Sequence, residues 1–276
     1  MNRVALVAAA GVNLACGVGL YYFFVRTTVG QETDIACFAA VRPLPDLQSR
    51  PVDVRVLLLD TVAVGLLVLA IAAATRGRWH DLAHASAVVG VTAVLVEVLK
   101  SVMLQRPYLG DHGYVENTFP SGHVAVVGSG LVAIAWLLPR EWWRLPAVVT
   151  VTGLGAVAVA AGVATMAHRF SDVIGAMVIV GFVGSVVSAA RAEHSRRGLV
   201  GRWALLSLGA CIALVGACIG VMVRETSSAM PMGPELYLGA MLVACLAAAT
   251  AALATTTPRG ALTRGRREPQ VAEPEP

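Results

Sequence analysis

Charge is scarce in this chain. Of its 276 residues only 14% are Asp, Glu, Lys or Arg, against roughly 25% in a soluble domain. Lysine is scarcer still, because Lys100 stands alone among fixed side-chain cations that are otherwise arginine. No segment alternates apolar and polar residues over the roughly ten positions that a membrane β-strand needs, so a β-barrel is excluded. The cysteines suggest no disulfide framework. Cys16, Cys211, Cys218 and Cys245 fall in apolar runs, where they read as small buried hydrophobes, and Cys37 has no evident partner. The net charge of +4 leaves no nucleic-acid footprint, because the arginines cluster in loops on one side of the apolar runs.

Apolar residues are what the chain has in abundance, at 57%. Runs of about twenty, enough to span a bilayer, fall at roughly 4–25, 56–75, 82–103, 123–139, 146–167, 172–190, 203–223 and 235–255. The composition and the runs predict an all-α polytopic membrane bundle of about eight helices. Arg3, Arg76, Arg78, Arg140, Arg144, Arg191, Arg196, Arg197, Arg202 and the basic tail share one side, which the positive-inside rule makes cytoplasmic. Trp79, Trp142, Trp143 and Trp203 mark the same boundary. Arg3 with the first run resembles a signal peptide, but the run continues through Tyr21-Tyr22-Phe23-Phe24 and reads as an uncleaved helix. The termini are then expected in the cytoplasm, with the tail from 257 disordered and held near anionic lipids.

The stretch from Glu97 to His123 carries the chemistry. An apolar helix ends in Lys100, Arg106 and Pro107, a polar loop follows, and Pro120-Ser121-Gly122-His123 opens the next apolar run. Two fixed cations at a membrane helix end are expensive unless they meet an anion. Ser121 and Gly122 precede a first helical turn, whose free N–H groups also favour an anion. His123 can exchange a proton near neutral pH. Separately, the cations also suit headgroup snorkelling and Pro-Ser-Gly suits an ordinary turn. A second segment, TMAHRFSDVIGA, places His168 four residues before Asp172. A carboxylate in the first helical turn can reach back to one imidazole nitrogen and leave the other more nucleophilic; Ser171 or Asp172 also suits a plain N-cap. On the predicted topology Lys100, Arg106, His123, His168 and Asp172 all lie on the non-cytoplasmic face.

Lys…Arg-Pro, then Pro-Ser-Gly-His, then His-x-x-x-Asp resembles the three-part signature of the type 2 phosphatidic acid phosphatase (PAP2) superfamily. The resemblance runs from Lys100 to Asp172 by motif and over about 55 to 190 by helix arrangement. It departs from the family in two places. Five rather than six residues separate Lys100 from Arg106, and Ala161 and Gly162 stand where the family has Ser-Arg. Arg169, beside His168, is the candidate replacement for that arginine. The resemblance implies a six-helix PAP2-like core within the bundle, a nucleophilic His168 oriented by Asp172, and His123 as general acid and base. It further implies phosphate held by Lys100, Arg106, Ser121, Gly122 and Arg169, with Glu97, Pro107 and Pro120 in support, and no cofactor or metal.

The expected substrate is a lipid phosphate, with a polyprenyl diphosphate preferred to phosphatidate or phosphatidylglycerophosphate. The expected place is the outer face of a plasma membrane, in a chain whose arginine, alanine and valine usage points to a GC-rich bacterium. A lipid-linked phosphotransferase and a non-catalytic membrane binder or transporter are the alternatives. By region, 1–55 reads as a first helix and outer loop, 56–191 as the catalytic core, 192–256 as two added helices and 257–276 as tail. In the outer loop the prolines Pro43, Pro45 and Pro51 suggest a connector or a lid over the site. Asp60 suits the cavity or a helix cap, and Glu97 suits orienting Lys100 or neutralising it. Asp111, His112 and Glu116, and the pair His80 and His84, are loosely spaced for a metal and read as solvated or interfacial groups. Gly216 and Gly220 suit close helix packing.

Overall fold

The computed structural model describes residues 3–41, 45–110, 117–138, 153–155, 157–158 and 168–191. Every regular element among them is helical. With no water to satisfy backbone polar groups, a spanning segment must bond within itself. Helix α1, Arg3–Leu20, ends in a π-helical turn, Tyr21–Val25. Then come α2, Thr28–Val41, and α3, Pro45–Thr75. Helix α4, Trp79–Val98, ends in a second π-helical turn, Leu99–Met103. Two further helices are α5, Gly122–Leu137, and α6, Phe170–Arg191.

Four segments are long and apolar enough to cross a membrane: Leu6–Val25, Arg55–Thr75, Trp79–Met103 and Phe170–Arg191. Gly122–Leu137 is a shorter apolar helix. These correspond to the first, second, third, sixth and fourth expected runs. Most of the fifth run, the last two runs, the tail and the 111–116 loop lie outside the described residues. The chain is an all-α membrane bundle.

The segment between Arg26 and Arg55, expected as a loop, is largely helical. The Thr27 hydroxyl accepts the Gly30 N–H at 3.0 Å, which caps the start of α2. Pro45 begins α3, a position where its missing N–H costs nothing. Helix α2 escapes an apolar-run search because its polar side faces inward. Gln31, Thr33 and Asp34 are buried, Asp34 completely.

Helix α6 is the centre of the packing, touching α1, α4 and α5; Val173, Ala176 and Val180 are fully buried on it. The turn from α3 to α4 follows from Gly77, whose φ of 66° suits the left-handed position after a helix. There Gly77 N–H bonds Ala74 O at 3.0 Å and Arg78 N–H bonds Ala73 O at 2.8 Å, closing the last turn of α3. Arg78 then reaches the far end of α5, donating to Leu137 O at 2.8 Å and Trp136 O at 3.3 Å. It also pairs with Asp81 at 2.8 Å. Arg191, at the end of α6, pairs with the same Asp81 and lies 5.9 Å from the Trp136 ring centre. The ends of α3, α5 and α6 and the start of α4 are thus tied by charge at one pole of the bundle.

Between the poles α3 rests on α5 at a glycine. A Cβ at Gly130 would come within 2.4 Å of Val62 Cγ1, so only glycine permits this approach. Gly130→Ala is expected to lower stability by about 1–3 kcal/mol through overpacking. Denaturation in detergent measures this, with Gly90→Ala as the control. Gly90 has open space around it and should be neutral or slightly stabilised by better helix propensity.

Candidate active site

The other pole gathers the residues singled out in the sequence. It is built around the first turn of α6. Arg169 is the last residue before that helix, and the Asp172 carboxylate reaches back to accept the Arg169 backbone N–H at 3.0 Å. This is the return half of a capping box, with the acid at the third helical position. The same oxygen, Oδ2, accepts the Thr118 hydroxyl at 2.5 Å. The other, Oδ1, faces Arg106 Nη2 at 3.4 Å. The Asp172 side chain is fully buried, and that of Arg106 is 3% exposed. A buried charge on either would be costly alone, so each stabilises the other.

The Pro-Ser-Gly-His turn is fastened to this point. Ser121 N–H donates to Asp172 O at 2.9 Å, and the Phe119–Pro120 bond is cis. Phe119, 2% exposed, lays its ring against Gly175 on α6. Asn117 ties the turn to the end of α4, donating to Leu104 O at 2.9 Å and Phe119 O at 3.1 Å. Tyr21 donates to Gln105 O at 2.9 Å, and Gln31 to Pro107 O at 3.1 Å. The π-helical ends of α1 and α4 therefore meet beside Arg106.

His123, in the first turn of α5, and His168, just before α6, have ring centres 6.2 Å apart. His168 Nδ1 lies 3.9 Å from Asp172 Oδ2. That is ion-pair range, beyond a hydrogen bond; Thr118 and the Arg169 N–H occupy the oxygen instead. The expected reach of Asp172 back to the imidazole is thus an approach and not a bond. His168 is 9% exposed. Burial, with the nearby charges of Arg55, His123 and Lys100, lowers its pKa to about 4, so the ring is neutral at physiological pH. An open pocket joins the two histidines to Arg55 and to an apolar wall from Leu58, Leu59, Val124, Val127 and Ala158.

Several polar atoms around this point have no hydrogen-bond partner among the described residues. They are Arg106 Nε and Nη1, Ser121 Oγ and His168 Nδ1, all buried. Buried donors left this way cost free energy, and an anion with several oxygens would satisfy those of Arg106 and Ser121. Lys100 is half-buried on the π-helical turn.

Some expectations change. Glu97 is exposed and forms no ion pair with Lys100 among the described residues; the wider π-helical turn takes Lys100 out of the phase that three-residue spacing would give. Asp60 is exposed and does not line the pocket. Arg169 is 2% exposed and does not line it either. The loop acids Asp111 and Glu116, with His112, and the positions Ala161 and Gly162, lie outside the described residues.

Residues 81–196 match the family model of the PAP2 superfamily. That segment is similar to the PAP2 superfamily. Members are in general phosphatases that act on phosphate esters, often of lipids. Neither the curated proteins nor the solved structures contain a match. The matched segment covers Lys100, Arg106, the Pro-Ser-Gly-His turn, His168 and Asp172, and leaves out α1, α2 and α3 although all three reach this pole.

Those three helices bring Arg55 and Asp34, neither of which sequence reading placed in the site. Thr118, between the first two motifs, was missed as well. For Arg55 a signal exists: it continues the face of Leu58, Leu59 and Val62 that packs on α5. Asp34 accepts the Ser171 N–H at 3.0 Å and also the Ser171 hydroxyl. It thus caps the α6 turn, a task that the Arg169 side chain at the cap position cannot perform.

Burial, and then repulsion from Asp172, raise the Asp34 pKa to about 7 from a usual value of 3.8. Between those values the folded protein holds a proton that the unfolded chain has released, so this group's contribution to stability falls as pH rises. His168 acts oppositely, because its lowered pKa favours the folded state as pH rises from about 4 to 6.5. Asp34→Asn keeps an acceptor and a donor for Ser171 and removes only the first effect. The expected outcome is that wild type loses stability relative to Asp34→Asn from pH 4 to 7, with the difference constant above that. Thermal unfolding of both proteins in detergent across that range measures it.

Proposed function

We propose that this protein is a lipid phosphate phosphatase working through a phosphohistidine at the outer face of a plasma membrane. The reading is carried by the buried donors of Arg106 and Ser121 that have no partner among the described residues, beside two histidines whose ring centres lie 6.2 Å apart. The match of residues 81–196 to the superfamily supports a phosphate ester as substrate, and the membrane bundle supports a lipid one.

In this reading His168 attacks phosphorus through Nε2, since Nδ1 is the nitrogen toward Asp172. The P–N bond forms as the P–O bond to the lipid breaks, and His123 gives its proton to the leaving oxygen. Asp172 steadies the positive charge that develops on His168. Lys100, Arg106, the Ser121 hydroxyl and the N–H groups opening α5 face the equatorial oxygens, whose charge the transition state spreads. His123, now neutral, takes a proton from water, the oxygen attacks phosphorus, and inorganic phosphate leaves His168. A neutral resting His168 fits a nucleophile. Arg169, being buried, acts through its backbone on Asp172 and through its charge. A polyprenyl diphosphate is the preferred substrate, ahead of phosphatidate.

The test is phosphate release from both lipids by detergent-purified protein in the presence of chelator. His168→Ala should lose at least about 10³-fold in kcat and all acid-labile phosphate on the protein. His123→Ala should lower turnover by about 10²-fold or more while keeping the labelled intermediate. Turnover surviving in His168→Ala would remove the assignment.

A further inference from the structure

Arg55 begins the apolar stretch of α3, Arg55–Thr75. Its place follows from helix phase. Arg55, Leu58, Leu59 and Val62 recur at three- and four-residue spacing, which puts them on one face. Val62 on that face meets Gly130 of α5, and Leu58 and Leu59 line the pocket with His123 and His168. Arg55 therefore faces the two histidines from a helix that none of the three motifs contains. The order along α3 also matters. Arg55 lines the pocket with the histidines, and Leu58 and Leu59 follow it one helical turn further along α3.

We propose that Arg55 is a further phosphate-binding residue of this site, and that the Leu58 and Leu59 wall takes the first carbons of the chain that bears the phosphate. The inference rests on the phosphatase reading above and deepens it. A guanidinium offers paired N–H donors that match two phosphoryl oxygens. The ligand class is a phosphoryl group on an aliphatic chain. The electrostatic influence of Arg55 on His168 agrees with this placement.

Binding of inorganic phosphate and of a medium-chain alkyl phosphate to the detergent-purified full chain, followed by titration calorimetry, tests it. Arg55→Ala should weaken both by about tenfold or more, and Arg55→Lys by less, since it keeps charge but loses the fork. On the wild-type protein, saturating phosphate should slow dicarbonyl labelling of Arg55, read by mass spectrometry, whether or not the variants fold. Unchanged affinity in Arg55→Ala, or labelling indifferent to phosphate, overturns the role of Arg55. Should lipid turnover still vanish in His168→Ala, the phosphatase reading stands without it. Phosphate binding that depends on Arg55 in a protein without turnover would keep the inference and sink the hydrolase. An alkyl phosphate held no more tightly than inorganic phosphate overturns the chain-binding wall alone. A wild type that binds neither ligand overturns the inference outright.

Discussion

The site depends on one buried carboxylate. Asp172 accepts a hydroxyl from Thr118, a backbone N–H from Arg169 and a guanidinium contact from Arg106, while its own backbone carbonyl receives the Ser121 N–H. Those groups come from the loop after α4, the turn before α5 and the start of α6. A charge removed from water is tolerated only when such partners surround it. The carboxylate therefore draws three chain segments to one point, and the two histidines are brought face to face as a consequence. A chain that met only the packing demands of its apolar helices would have no reason to converge there.

The neighbouring Asp34 makes the arrangement less simple. Two carboxyl groups so close cannot both ionise cheaply. Burial first, and then the charge of Asp172, push Asp34 toward its protonated form, against the hydrogen bonds of Ser171 and the charge of Arg106. Arg106 faces Asp172 as its counter-ion. Burial first, and then the charges of Arg55, His123 and Lys100, depress His168. On the proposed reading, the local charge favours an incoming anion and a neutral nucleophile together, the combination that phosphoryl transfer to nitrogen requires.

How much of this is legible in the sequence depends on the distance over which each residue acts. The membrane bundle reads directly, because apolar length and scarcity of charge are local properties. Lys100, Arg106, His123, His168 and Asp172 read from short spacings and from the few residue types that can hold phosphate. Asp34 does not, since it meets Ser171 across 137 positions from a segment whose polar composition resembles a surface loop. Inward-facing polar groups invert the usual pattern, so α2 is misread as a connector. Thr118 fails for a similar reason, being an ordinary loop threonine until α6 brings Asp172 to it. Glu97 is the converse case: three-residue spacing puts it beside Lys100 on a regular helix, and the π-helical turn removes that register.

Helix α3 shows why the reactive pole suits a substrate already dissolved in the bilayer. Its outward face is apolar and exposed at Val56, Leu57, Val64, Leu67, Val68 and Ile71, as a surface in contact with lipid chains should be. Its inward face carries Arg55, Leu58 and Leu59 to the pocket. On the proposed reading, a phosphate tethered to a lipid chain would approach along this helix with its chain in an apolar environment, and only the headgroup would exchange water for guanidinium and backbone N–H. A free soluble ester of the same chemistry would gain nothing from the apolar wall. The ionic network of Arg78, Asp81 and Arg191 holds the helices together at the opposite pole, far from the chemistry. The reactive pole can therefore keep polar groups that have no partner among the described residues without loosening the bundle.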